Sequence, residues 1–208
     1  MKQHISSILK VLELAEKLKD ELRHSYTSTG RQESVAEHTW RMALMAVLIE
    51  PLLTKKVDTA RLLKMIIIHD LVEAEAKDTP LTEVLRNPEL KKDKIERERK
   101  AIENIRAALT HTNGQEIYDL FYEFEAKETY EAKVANALDK LEAQLQHNHA
   151  HISTWEEIEY EITYMLDKHV VFDETLFELK VRIEDDATRK LEANGINTAP
   201  LKEKHKKY

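Results

Sequence analysis

A chain of 208 residues can bury well over half of its unfolded surface, either as one large domain or as two small ones. Its composition, 42% hydrophobic and 34% charged with three Gly and four Pro, leaves little turn chemistry for a many-stranded sheet and predicts an all-α fold. The absence of Cys excludes disulfides and thiolate catalysis, suits a reducing, cytoplasmic setting and leaves His, Asp and Glu to hold any metal, while a formal charge of −7 argues against broad nucleic-acid binding.

In chain order, the N-terminal stretch MKQHISSILKVLELAEKLKDEL is interrupted by charge every few residues. It is neither a signal peptide nor a membrane span and is predicted as a helix over 3–20. Ser34-Val-Ala-Glu37 forms a capping box for a helix over 34–49, and Asp58 caps another over 58–75. Residues 42–49 and 62–72 are apolar almost all round, so these two helices are expected at the centre of a bundle, covered by amphipathic ones. The covers are predicted at 80–86, 89–110, 115–126, 130–150, 154–168 (with Ser153 as N-cap and Glu156 matching it) and 173–193. The charged helix 89–110, with Ile95, Ile102, Ile105 and Leu109 on one stripe, is expected to be a lid, a bundle cover or part of a homodimer interface. Trp40 and Trp155 are expected in the core. No repeat or linker divides the chain, so a single domain is expected: a motif-bearing core over about 23–150, helices over about 153–194 packed on it, and a tail from 195 to 208.

The segment 65–80, MIIIHDLVEAEAKDTP, places His69, Asp70, Glu73, Glu75 and Asp78 at the end of a run that three isoleucines send inward. On a helix, His69, Asp70 and Glu73 share one angular sector. Unpaired, they would cost more than the isoleucines recover, and a cation resolves the conflict. Imidazole and carboxylate together suit a divalent transition metal ion (Mn, Fe, Co, Ni or Zn), whereas Mg or Ca prefers oxygen alone. A His-Asp pair by itself is weak, being expected roughly half the time by chance in such a composition. His38, aligned with Met42, Met45 and Ile49, points inward. Asp139 borders the seam Val134, Leu138, Leu141 and Leu145, among the small residues Ala132, Ala135 and Ala143. Each alone is compatible with an ordinary core histidine or solvated aspartate; the joint order His38, His69-Asp70, Asp139 is far more specific.

The stretches EHTWRM (Glu37–Met42), HDLVEA (His69–Ala74) and ALDKLEAQ (Ala137–Gln144) resemble the HD-domain superfamily of metal-dependent phosphohydrolases, whose ligands follow H…HD…D on separate helices of an α-bundle. RQESVAEH before His38, Glu73 after the HD pair and Asp78-Thr79-Pro80 make the chain similar to the bacterial 5′-deoxyribonucleotidase branch. The resemblance runs from about Arg23 to Gln146, and loosely to Asn194. It implies a helical bundle, metal ligation by His38, His69, Asp70 and Asp139, an acid/base role for Glu73, a phosphate contact for Arg23 and a site acid at Asp78. The sequence departs from that branch where His24 replaces a Trp that crowds the sugar. Thr27-Ser28-Thr29 stands in place of a basic residue, leaving Arg31 as the nearer cation, and Asn136 in place of a lysine.

The expected activity is release of phosphate from nucleoside 5′-monophosphates, with deoxyribose selectivity open. The ion would lower the pKa of water and screen the phosphoryl charge, Arg23 would supply bidentate donors, and Glu73, desolvated, would hold or take a proton. A (d)NTP or alarmone hydrolase, or a non-catalytic nucleotide sensor keeping the metal as a pin, are the alternatives. Retention of Glu73 favours the enzyme. Glu142 is read as a solvated residue, with a supporting role behind the metal ligands left open because it lies one turn beyond Asp139, and the His147, His149, His151 tract as structural, although two of its imidazoles, four apart, could capture a stray transition metal.

Overall fold

A computed structural model describes residues 2–205. The capping box at Ser34 forms as expected: its side chain accepts from Glu37 N, and the Glu37 carboxylate accepts from Ser34 N, opening α2 (Val35–Ile49). Asp58 caps α3 (Thr59–Ile68), accepting from Arg61 N at 3.0 Å. The N-terminal helix α1 (Lys2–Glu16) ends in a 3₁₀ turn over Lys17–Lys19.

Beyond it lies an element that composition did not predict, an antiparallel hairpin of β1 (Leu22–Tyr26) and β2 (Gln32–Ser34), turned through Gly30 at φ 87°. The predicted helix 58–75 is also not continuous. After Ile68 the backbone tightens, with Leu71, Glu73 and Ala74 each donating to the carbonyl three residues back, before the short α4 (Glu73–Ala76). Residues three apart eclipse one another in such a turn. The chain then runs through α5 (Leu81–Arg86), α6 (Leu90–Ala108), α7 (Gly114–Ala126) and α8 (Tyr130–His149).

The predicted helix 154–168 divides into α9 (Glu157–Ile162) and α10 (Asp167–Val170), and its cap is Glu156, three residues beyond Ser153, with Glu159 closing the box. A long α11 (Glu174–Ala193) follows. The expected tail contains α12 (Ala199–His205), held by a Lys204–Glu161 ion pair at 2.6 Å and by Leu201 against the Trp155, Tyr164, Ala187 and Leu191 cluster; residues 206–208 lie outside the described part.

The expected pair of central helices needs correction. The most enclosed helix is α8, with eleven of its twenty residues buried against five of fifteen in α2. Ala132, Ala135 and Ala137 let neighbours approach α8 closely, and its buried Asn136, Asp139, Glu142, Gln144 and Gln146 have no counterpart in a purely apolar core. Conversely, α2 turns Trp40 (66% exposed), Leu44, Val47 and Leu48 outward, and α3 exposes Ile67. Trp40 is therefore no core residue, whereas Trp155 is buried as expected. On α6, Ile102 and Ile105 are buried, as is Leu109 just past its end, but Ile95 is exposed.

Candidate active site

Three elements deliver the predicted chemistry to one place: α2 brings His38, the tight turn after α3 brings His69 and Asp70, and α8 brings Asp139. His38 Nε2 lies 3.3 Å from Asp139 Oδ1 and 3.8 Å from Asp70 Oδ2, and His69 Nε2 lies 3.1 Å from Asp70 Oδ2. The two rings are 5.8 Å apart. His69 Nδ1 donates to Ile66 O at 2.7 Å while Phe124 packs 4.9 Å from the ring, and His38 Nδ1 bonds the Glu142 carboxylate. Each ring is thus held through Nδ1, which leaves Nε2 as the free donor atom for a cation. Both Nε2 atoms are buried without a hydrogen-bond partner, and the pair with Asp139 presents three ligand atoms within 4.8 Å of one another. Orphaned buried nitrogens facing carboxylates fit a divalent metal ion, and the mixed N/O donor set fits the transition series.

Electrostatics carries the same message. Burial and Arg23 oppose a proton on His38, yet Glu142 and Asp139 raise its pKa to about 9. The ring sits where positive charge is favoured. Against burial, which acts the other way, His69, His38 and Arg23 hold Asp70 below the usual carboxylate range. Asp139 is held well below it, with Lys140 at 2.7 Å the largest lowering influence.

Glu73 behaves oppositely. It is 3% exposed, one carboxylate oxygen has no partner, and burial, with Asp70 and Asp78 adding to it, pushes its pKa well up. Arg23 on β1 faces Asp70 at 3.5 Å and Glu33 at 3.6 Å. Asp78 is oriented through its backbone, whose N–H donates to Glu21 at 3.1 Å, just after Lys77 at φ 69°.

Arg23, His24, Asp78 and Asp139 line a cavity of about 480 Å³ together with Leu81, Leu85, Ile162 and Met165, a size suited to a small organic ligand. His38, His69, Asp70 and Glu73 are not among its lining residues; the link to the cavity runs through Asp139, 3.3 Å from His38, and Arg23, 3.5 Å from Asp70. Arg31 is not brought to this place: it forms a two-point ion pair with Glu37 on the exposed surface.

Sequence reasoning missed several participants. Glu142 is fully buried rather than solvated, shared between His38 and Arg41. Glu33, also buried, lies between Arg23 and Arg41, and burial with Glu142 raises its pKa to about 7. Lys94 of α6 pairs with Glu98 at 3.4 Å, and against burial the charge of Glu98, followed by those of Glu73, Asp70 and Asp78, raises its pKa. Glu142 gave one weak signal, an i, i+3 offset from Asp139 that puts it within one helical turn of the site. Glu33 and Lys94 carried none, because only tertiary packing brings them in.

Among the described residues no helix is long and apolar enough to cross a membrane. The chain is 32% identical over 142 residues to 5′-deoxynucleotidase HDDC2 of Xenopus laevis, covering 67% of each chain. It is 32% identical over 150 residues to the protein of that name from Dictyostelium discoideum, covering 68% of this chain and 76% of the relative. A crystal structure described as a predicted metal-dependent phosphohydrolase from Magnetospirillum magnetotacticum superposes with a TM-score of 0.78 at 29% identity, over 90% of this chain and 97% of the other. The family model described as HD domain matches residues 15–179, a span that contains the hairpin, the His-Asp turn and all of α8. With its helical architecture and its buried His-Asp centre inside that span, the chain belongs to the HD domain family.

Proposed function

We propose that this chain is a metal-dependent phosphomonoesterase that releases phosphate from nucleoside 5′-monophosphates, with His38, His69, Asp70 and Asp139 as the metal ligands. The observation that carries this reading is the pair of buried, unpartnered imidazole Nε2 atoms set against two aspartates at one end of a cavity large enough for a nucleoside. The relatives named 5′-deoxynucleotidase support the substrate class. A divalent ion held there supplies Lewis-acid charge to the phosphoryl group and makes water more acidic, with Mn, Co, Fe, Ni or Zn favoured over Mg by the imidazole ligands.

The chain's own residues do the rest. Arg23 turns a guanidinium toward the phosphate position, now balanced by Asp70 and Glu33. Burial raises the pKa of Glu73 and so favours its protonated form, which suits delivery of a proton to the leaving 5′-alkoxide. Asp78 faces the cavity and orients a hydroxyl or water.

The test is a metal-by-substrate matrix. Chelator-stripped protein is assayed for phosphate release from ribo- and deoxynucleoside mono- and triphosphates, with Mn, Co, Zn or Mg restored singly. Monophosphates are expected to turn over, and Glu73→Ala to lose at least about a hundredfold in kcat with metal content unchanged. Full activity in Glu73→Ala removes that residue from the reaction, and turnover of triphosphates alone replaces the substrate class.

A further inference from the structure

A second titratable cluster lines the same cavity and has no part in the centre just described. It draws His24 from β1, His147 from α8 and Glu159 from α9. Glu159 is 4% exposed. Its Oε1 lies 3.1 Å from His24 Nε2 and 3.2 Å from His147 Nε2, and its Oε2 accepts from Glu156 N at 2.6 Å. Trp155 stands edge-on to the His147 ring at 5.5 Å and donates its Nε1–H to His147 O at 2.9 Å. One buried carboxylate oxygen thereby faces the same ring atom of two imidazoles, and His24 Nε2 is itself buried without a hydrogen-bond partner. No hydrogen bond from a described residue reaches Nδ1 of either ring.

If the cluster only pinned α9 to its neighbours, apolar residues of similar volume would serve as well or better. Its placement suggests more. His24 follows Arg23 directly, so its Cα is about 3.8 Å from that of the residue facing the phosphate position. Asp139, Ala143 and His147 all line the cavity from successive turns of α8, and eight residues of helix span about 12 Å. The two rings, 6.2 Å apart, thus stand next to the residue facing the phosphate position, with His147 about 12 Å along α8 from Asp139. A pentose is the part of the substrate esterified to the phosphate, and its hydroxyls donate and accept, which matches a ring nitrogen of either protonation state.

We propose that Glu159 positions His24 and His147 as a hydrogen-bonding wall for the pentose hydroxyls of the substrate, which makes His147 a specificity residue and Glu159 a positioning residue. The proposal rests on the nucleoside monophosphate reading above. The test compares kcat/KM for a ribonucleoside 5′-monophosphate, its 2′,3′-dideoxy analogue and phenyl phosphate in wild type, Glu159→Gln and His147→Phe. Both variants are expected to lose about tenfold of the preference for the ribonucleotide over phenyl phosphate, the size of one net hydrogen bond, through KM rather than kcat. The loss is expected to vanish when the dideoxy analogue replaces the ribonucleotide in that comparison. Equal losses with all three substrates, or none, overturn the proposal.

A second measurement does not depend on turnover. Imidazole NMR signals of His24 and His147 in the full chain are followed during titration with the uncharged ribonucleoside and its dideoxy analogue. Shifts confined to the ribonucleoside support the wall even if no nucleotide is hydrolysed. Absence of shifts with both rejects it even if the phosphatase reading stands.

Discussion

Glu142 shows how a single side chain can govern a centre it does not enter. Its carboxylate takes the Nδ1–H of His38 and the guanidinium of Arg41, and so fixes which nitrogen His38 turns toward the aspartates. Glu142→Ala is expected to weaken metal binding by about 10- to 100-fold, the usual effect of removing the partner of a ligating histidine, as read by competition against a chelator. Unchanged affinity would mean that packing alone orients the ring. His169 carries a pH signature of a different kind. Burial, reinforced by Lys140 and Lys168, pushes its pKa down to about 4, and its Nδ1 meets Asn136 Oδ1 at 3.0 Å. An unfolded histidine titrates near 6.5, so between about 6.5 and 4 the unfolded chain takes up a proton that the folded one refuses. Stability from this residue is complete above that window and is lost as pH falls through it. The slope should stay below about 1.4 kcal/mol per pH unit because the ring is partly solvated. Denaturant midpoints of wild type and His169→Gln across this range check it: the difference between them should change with pH below 6.5 and stay constant above.

Among the elements, those with local signals match their expected positions and those built by contact do not. Ser34 and Asp58 start α2 and α3 where their side chains can cap the chain, an interaction spanning three residues. The hairpin over Leu22–Ser34 carries no comparable signal, since LRHSY has neither clear alternation nor an Asn-Gly turn. It is held by what surrounds it, including Gln146 Nε2 donating to Tyr26 O at 2.5 Å. The tightening after Ile68 is likewise invisible in MIIIHDLVEA, whose apolar periodicity continues through the break. The junction of α6 and α7 has a requirement of its own: a Cβ on Gly114 would stand 2.5 Å from Arg106 O and 3.1 Å from the Leu109 backbone. Both contacts involve backbone and cannot swing away. Gly114→Ala is expected to destabilise the protein by about 1–3 kcal/mol in chemical denaturation. A change within about 0.5 kcal/mol would show that the two helices separate freely.

For the molecule as a whole, the centre joins α2, the turn after α3, and α8, which are far apart in the chain. An ion bound there stabilises only the folded arrangement. Saturating metal at about 100 times its Kd should therefore add about 2.7 kcal/mol to unfolding, seen as a raised and metal-dependent melting temperature, and Asp139→Asn should remove most of that gain. A melting temperature indifferent to metal would place the binding site elsewhere. By itself the sequence determined the helical class, the main caps and the spaced His, His-Asp and Asp positions, because composition and motif spacing are properties of the chain alone. Only the tertiary structure decided that α8 rather than α2 is the enclosed helix, that Arg31 lies outside the cavity, that Glu159 lines it, and that Glu142, Glu33 and Lys94 gather around the His-Asp centre. The reason is physical: burial of a charged side chain depends on the partners that packing supplies, and residues such as Glu142 and His38, 104 positions apart, meet only when the bundle closes.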